Sequence, residues 1–287
     1  MVGRALAETA PEAARVIALG RGECDVRRKE LVERAIAEAA PDLVFNAAAF
    51  TAVDHAETEI GEATAVNAVA PGHVAEAARA AGARTVHIST DYVFDGTGTR
   101  PYRPDDPPNP LGVYGRTKLA GEEAVKKADP AALTVRTSWV YSSAGVNFMT
   151  SVLRLLRARE RLEIVADQIG TPTRARSLAA ALWSLARAGS CGLLHYRDSG
   201  SASRHEFAVA IRDQALALGL LDRRIVIEPI GSAAYPTAAS RPLYSVLDAS
   251  EAWRIVGGPP PDWRENLRLT LEELNGRKQQ NAAKPSA

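Results

Sequence analysis

Short apolar runs alternate with amphipathic helical stretches through the first half of this chain, and few folds accept that rhythm. Val16-Ile-Ala-Leu19, Leu43-Val-Phe-Asn-Ala-Ala48, Thr85-Val-His-Ile-Ser-Thr90 and Leu133-Thr-Val-Arg-Thr-Ser138 read as buried strands. Between the first two, Leu31, Val32, Ala35, Ile36 and Ala39 form one apolar stripe of a helix that Asp25 can cap and Pro41 stops. An alanine-rich helical stretch over residues 57–81 is interrupted at Pro71-Gly72, and a proline-rich loop over 96–110 leads into the helix holding Tyr114 and Lys118. Strands alternating with helices predict a parallel sheet covered on both faces. The second half is less regular. It reads as helices over 152–162 and 178–188, a helix capped by Ser203, a final helix over 263–274 capped by Asp262, and short strands over 162–165 and 225–230. From Gly276 onward the chain is polar and is expected to fray.

A chain of 287 residues, 46% hydrophobic and 24% charged, can bury a large core as one big domain or two smaller ones. Its net charge of +1 gives no electrostatic case for nucleic acid or an anionic membrane. Cys24 and Cys191 make no disulfide framework and no CxxC, which suits a reducing cytoplasm. No apolar run reaches membrane-spanning length and the N-terminus lacks a signal-peptide core. The histidines at 55, 73, 87, 195 and 205 show no ligand spacing, so no catalytic metal is expected.

A doubly wound nucleotide-binding sheet starts with a strand and a glycine-rich turn, whose backbone amides approach a pyrophosphate. This chain opens Met1-Val-Gly-Arg-Ala-Leu6, which resembles the end of such a turn, with Gly3 its last glycine and the first helix starting at Arg4. The expectation is a sheet lacking its first strand, with about ten residues missing upstream of Met1. The other reading takes Met1 as a true start and the cofactor site as defective.

Tyr114 and Lys118 are four apart on one helical face. An ammonium so placed can stabilise a phenolate, lower the phenol's pKa and fit it to exchange a proton with a carbonyl oxygen. The spacing alone is weak; its surroundings strengthen it. They are Asn46-Ala-Ala-Ala-Phe-Thr-Ala-Val-Asp54, Ser89-Thr-Asp-Tyr-Val-Phe-Asp-Gly96, Pro110-Leu-Gly-Val-Tyr-Gly-Arg-Thr-Lys-Leu-Ala-Gly-Glu122, Arg136-Thr-Ser-Trp-Val-Tyr141, Asp167-Gln-Ile-Gly-Thr-Pro172 and Arg241-Pro242. With these segments the chain resembles the extended short-chain dehydrogenase/reductases, and within them the dTDP-4-dehydrorhamnose reductase family, over nearly its whole length.

The resemblance implies a doubly wound, dinucleotide-binding domain over 1–142 with a return segment around 173–198. A smaller α/β substrate domain is expected over 143–172 and 199–275, and a flexible tail over 276–287. It implies an NADPH-dependent reductase of a nucleotide-sugar ketone, acting in the cytoplasm, with NADH use and a homodimer both compatible. Tyr114 would donate the proton, Lys118 would hydrogen-bond the nicotinamide ribose, and Thr90 would hold the reacting oxygen. Asp91, Tyr92, Trp139 and Arg241 would meet the substrate; Thr171-Pro172 would lie nearby. Gly3, Arg21, Asp25, Val26, Ala48, Ala49 and Thr51, with Tyr114 and Lys118, would meet the cofactor. An arginine at 21, rather than an acid, suits a 2′-phosphate. Related dehydratases carry a glutamate where Tyr92 stands, so reduction is favoured over elimination. Each residue also has a plainer reading. Tyr92 can pack against Phe94, Asp25 can serve as a helix cap, Arg21 can be an exposed loop residue, and Asn67, a further candidate, can be a surface residue. A non-catalytic relative, like the regulatory subunit of methionine adenosyltransferase, and a reductase of another nucleotide-sugar are the competing functions.

Overall fold

The structure, a computed structural model, describes residues 1–282. Its main sheet has four strands, all parallel, in the order β1 (Leu43–Asn46), β2 (Arg84–Thr90), β3 (Leu133–Thr137) and a late strand, Gly192–His195. Helices cover both faces, as a parallel sheet requires. On one face lie α1 (Val2–Glu8) and the helix Ala175–Arg187, packed on Val86, Leu133, Val135 and Leu194. The opposite face carries α2 (Lys29–Ala39), a long helix spanning 60–80, and the helix Val113–Ala128 that bears Tyr114.

The two faces differ chemically. Alternation along β2 sends Val86 toward the apolar side and His87 and Ser89 toward the Tyr114 helix, where they meet Lys118 and Glu122. In β3, Val135 and Arg136 divide in the same way. Polar residues in these strands therefore mark a buried polar interface and not a solvent-facing side.

A second core gathers Tyr141, Leu153, Leu156, Phe207, Ile211, Trp263 and Leu267 from three helices, Phe148–Ala158, Arg204–Ala217 and Trp263–Ala282. A parallel two-stranded ribbon, Arg161–Val165 with Val226–Ile230, lies beside them.

Several expectations change. Val16, Ile17 and Leu19 form no strand and are 40, 47 and 50% exposed. A strand needs a hydrogen-bonding neighbour, and the sheet ends at the open edge of β1. The long helix continues through Pro71-Gly72, the proline's missing amide falling where the hydrogen-bond pattern shifts from π to α at the start of the segment Ala70–Ala80. Its irregularity comes just earlier, as a π-helical bulge over Ala65–Val69. Asp25 caps nothing: Arg28 is the N-cap of α2, and Asp25 accepts from Arg27 instead. The helix expected over 152–162 begins at Phe148, because Asn147 and Thr150 form a reciprocal capping box. Ser203 and Asp262 do cap their helices, accepting from the Glu206 and Arg264 amides. The last helix continues through Gly276 to Ala282, and residues 283–287 lie outside the described part.

Candidate active site

The carboxyl ends of β1 and β2 open onto the start of the Tyr114 helix. In an open parallel sheet ligands bind there. Two glycines let this helix approach. A Cβ at Gly115 would strike the carbonyl oxygen of Tyr92, and one at Gly121 would strike that of Asn67. This contact brings the Tyr114 side chain to Thr90, the last residue of β2.

Burial holds the Tyr114 phenol well above the usual value, against a smaller downward pull from the nearby Thr90 hydroxyl. Tyr92 stands edge-on to Tyr114, ring centroids 5.5 Å apart, and its amide donates to Thr90 Oγ1 at 3.2 Å. Lys118, 2% exposed, donates from Nζ to the Ile88 carbonyl at 2.7 Å and lies 3.4 Å from His87 Nε2. Burial lowers its pKa to about 8, against the pull of Glu122. The expected depression of the Tyr114 pKa by Lys118 is thus absent. The apolar surroundings of the phenol dominate, and the amine is drawn to a strand carbonyl.

Beneath this pair, Glu122 accepts from Ser89 at 2.5 Å and from Arg136 at 2.9 and 2.7 Å in a buried ion pair. Phe94 stacks on Tyr102, with Arg136 over its other surroundings, so Phe94 is not the partner of Tyr92.

Asp91 does not face the cleft. It is 1% exposed; Oδ1 accepts from Thr90 and Oδ2 from Ser245 at 2.6 Å. Burial raises its pKa to about 6. Its geometry is that of a bolt between β2 and the segment around Ser245. Arg241 is also engaged: it grips Asp54 at 3.1 and 2.7 Å, tying the loop after β1 to the substrate side. Thr171 is buried, donating to the Gly200 carbonyl.

Trp139 adopts φ +45°, a left-handed conformation rare for a bulky residue and frequent where function holds strain. The indole lies against Gly170, where a Cβ would come within 2.5 Å, and the Arg204 guanidinium sits 3.6 Å from its ring centre. Arg204 was missed in the sequence. Nothing in Ser203-Arg-His-Glu206 sets that arginine apart until the helix places it over Trp139, beside Tyr92 and Asp91.

The cofactor-side residues divide. Ala48 and Ala49 line the loop after β1, which Asn67 pins: Phe50 N donates to Asn67 Oδ1 at 2.8 Å and Asn67 Nδ2 donates to Phe50 O at 3.0 Å. Asn67 is therefore fully buried and not a surface residue. Thr51 is exposed at the loop's end. Gly3 lies inside the first turn of α1, which starts at Val2 rather than Arg4, and a Cβ there would lie 3.8 Å from Ala47 Cβ. Arg21, 69% exposed, pairs with Glu62, as does Arg27. Asp25 binds Arg27, which lowers its pKa to about 2. Val26 packs on the α2 cluster instead of facing outward. Among the described residues no cluster of His, Cys, Asp and Glu could hold a metal ion.

A parallel sheet, a Tyr-x-x-x-Lys helix beside its second strand and a threonine at that strand's end define the short-chain dehydrogenase/reductase class. The chain belongs to the dTDP-4-dehydrorhamnose reductase family: the model of the RmlD substrate binding domain matches residues 1–275. It is 42% identical over 286 residues to the dTDP-4-dehydrorhamnose reductase of Burkholderia thailandensis, covering 95% of each chain. It is 41% identical to that of Mycobacterium tuberculosis, covering 92% and 87%. The Bacillus anthracis dTDP-4-dehydrorhamnose reductase, solved in complex with NADP, superposes with a TM-score of 0.89 at 33% identity, covering 95% of each chain.

Proposed function

We propose that this protein reduces the C4 ketone of dTDP-4-dehydro-L-rhamnose with NADPH, giving dTDP-L-rhamnose. The observation that carries this reading is the Tyr114 phenol set beside the Thr90 hydroxyl at the carboxyl end of a parallel strand, in a chain of this family.

The residues present fit the cofactor by the chemistry of their donors. Lys118 keeps N–H groups beyond the one given to Ile88 and would hold a ribose hydroxyl. Ala48, Ala49 and Thr51 would line the dinucleotide, Gly3 would border its pyrophosphate, and Arg21 would meet a 2′-phosphate. Bound NADPH supplies the hydride for the carbonyl carbon.

The rest of the work falls to side chains. Thr90 orients the carbonyl oxygen. The raised pKa keeps Tyr114 protonated at neutral pH, as an acid in the reductive direction must be. Charge developing on the substrate oxygen takes the phenolic proton, and the product is an alcohol. Elimination would need a carboxylate base. The nearest, Asp91, is committed to Thr90 and Ser245, and Tyr92 offers none. Trp139 and Arg204 would form the wall against the sugar and diphosphate.

The test is loss of nicotinamide absorbance on mixing the protein, NADPH and the keto-sugar nucleotide, with the sugar product identified by mass and stereochemistry. Turnover giving dTDP-L-rhamnose is expected; no turnover with intact cofactor binding would favour a binding role.

A further inference from the structure

Asn46 and His87 face each other across the first two strands, at paired positions in the register. Both are buried, and both point to the side of the sheet where Lys118 ends. We propose that this Asn–His pair acts as a positioning unit that selects the protonation state of Lys118.

The argument follows the hydrogens. The Ala48 main-chain N–H can only donate, and it donates to Asn46 Oδ1 at 3.2 Å. With its oxygen so held, the Asn46 amide turns its NH2 to His87 Nδ1 at 3.3 Å. Nδ1 must then accept, so the single proton of a neutral ring sits on Nε2. That Nε2–H faces Lys118 Nζ at 3.4 Å. An ammonium would set donor against donor. A free amine has a lone pair to receive the Nε2–H, and its own N–H serves the Ile88 carbonyl at 2.7 Å.

Every hydrogen in this chain finds an acceptor when Lys118 is neutral. Protonating the lysine forces the ring proton onto Nδ1, against the Asn46 NH2. Flipping the amide only moves the conflict to Ala48 N–H. Each proton taken up by Lys118 therefore breaks one link.

Burial works in the same direction, holding His87 well below its usual value and Lys118 near 8. The other groups around the amine are Glu122 on its own helix, tied to Arg136 of β3 and Ser89 of β2, with Tyr114 one turn back and Asp91 at the end of β2. Glu122 favours the ammonium; the Asn–His pair opposes it. A lysine balanced between the two can take a proton from solvent when charge develops at the substrate oxygen. That last role rests on the reductase reading above; the titration of Lys118 does not.

The experiment separates the two. Asn46→Asp replaces the amide with a carboxylate, which accepts from both Ala48 N–H and a His87 Nδ1–H. The ring proton moves to Nδ1, and Nε2 becomes an acceptor for the ammonium. NMR of the full-length protein with isotope-labelled lysine and histidine, the lysine signal assigned by Lys118→Arg, reads both changes without substrate. At a pH alkaline enough to free the Lys118 amine, the wild type is expected to carry the ring proton on Nε2, and on acidification the ring proton should move to Nδ1 as the lysine takes up its own. Asn46→Asp should carry it on Nδ1 and raise the proton affinity of Lys118 about tenfold or more. The new charge alone would raise it somewhat, so the same substitution is made in a His87→Phe background, where the added rise should vanish. In active enzyme, the alkaline limb of the kcat/KM profile should shift upward with Asn46→Asp. A wild-type ring proton that stays on Nδ1 with the lysine deprotonated would overturn the proposal. So would an equal Lys118 shift with and without His87. Should His87→Phe not fold, the tautomer change in the single variant decides alone.

Discussion

The two banks flanking the carboxyl ends of β1 and β2 are built on different principles. The bank under Tyr114 is a buried polar lattice: Lys118 on the Ile88 carbonyl, Glu122 between Ser89 and Arg136, and Asn46 against His87. The bank around residues 15–28 has no strand. It is held by ion pairs near the surface, with Arg21 and Arg27 converging on Glu62. Buried pairs fix geometry because a missing partner leaves a charge without solvent; exposed pairs yield at little cost. The bank under Tyr114 is thus rigid, while the bank around residues 15–28 is left adaptable.

The comparison can be broken in several ways. The largest effect is expected at the rigid bank: Tyr114→Phe should lower kcat by about a hundredfold to ten-thousandfold, with the NADPH dissociation constant little changed. Wild-type turnover from this variant would remove the phenol from the mechanism. Glu122→Ala strands the Arg136 guanidinium and should destabilise the fold by about 3–5 kcal/mol in denaturant unfolding. A loss as small as that of a surface pair would mean the lattice is solvated.

The two banks should also answer pH with opposite sign. Asp91, raised to about 6, stabilises the fold most when protonated, and that contribution fades as pH rises through about 6. Asp25, lowered to about 2, contributes above its unfolded value and fades only as pH falls through about 2. Melting temperatures followed against pH should show Asp91→Asn altering the curve mainly between about pH 4 and 6, and Asp25→Asn altering it only on the acid side of about 4. If both variants move the same limb, the contrast between the banks fails. The smallest effect is Arg21→Ala. Its melting temperature should match the wild type, while NADPH binding weakens about fivefold and NADH binding does not.

The same contrast governed what the sequence disclosed. The strand and helix rhythm located β1, β2, β3 and the Tyr114 helix, because each buries an apolar face that the pattern records. The Tyr114, Lys118 and Thr90 set was legible because it lies in segments with a family signature. Val16-Ile-Ala-Leu19 misled: its apolar run suits a strand, but a strand's existence depends on its neighbour. The partners of the site were harder still. Asp91 and Arg241 stood out in the sequence as candidates, yet only the fold shows them bonded to Ser245 and Asp54. Arg204 gave no local signal and Asn67 only a weak one, since their roles come from chain segments far away in sequence.

The π-helical segment around Asn67 has a consequence for anyone shortening this chain. Deleting one residue from Ala65–Val69 would let the coil run regularly and gain local regularity. It would also swing every following or preceding side chain by about 100°. Asn67 would then leave Phe50, and the stretch from Ala47 to Phe50 would lose its anchor to the helix carrying the phenol. A version more perfect as a helix would be a looser receptor.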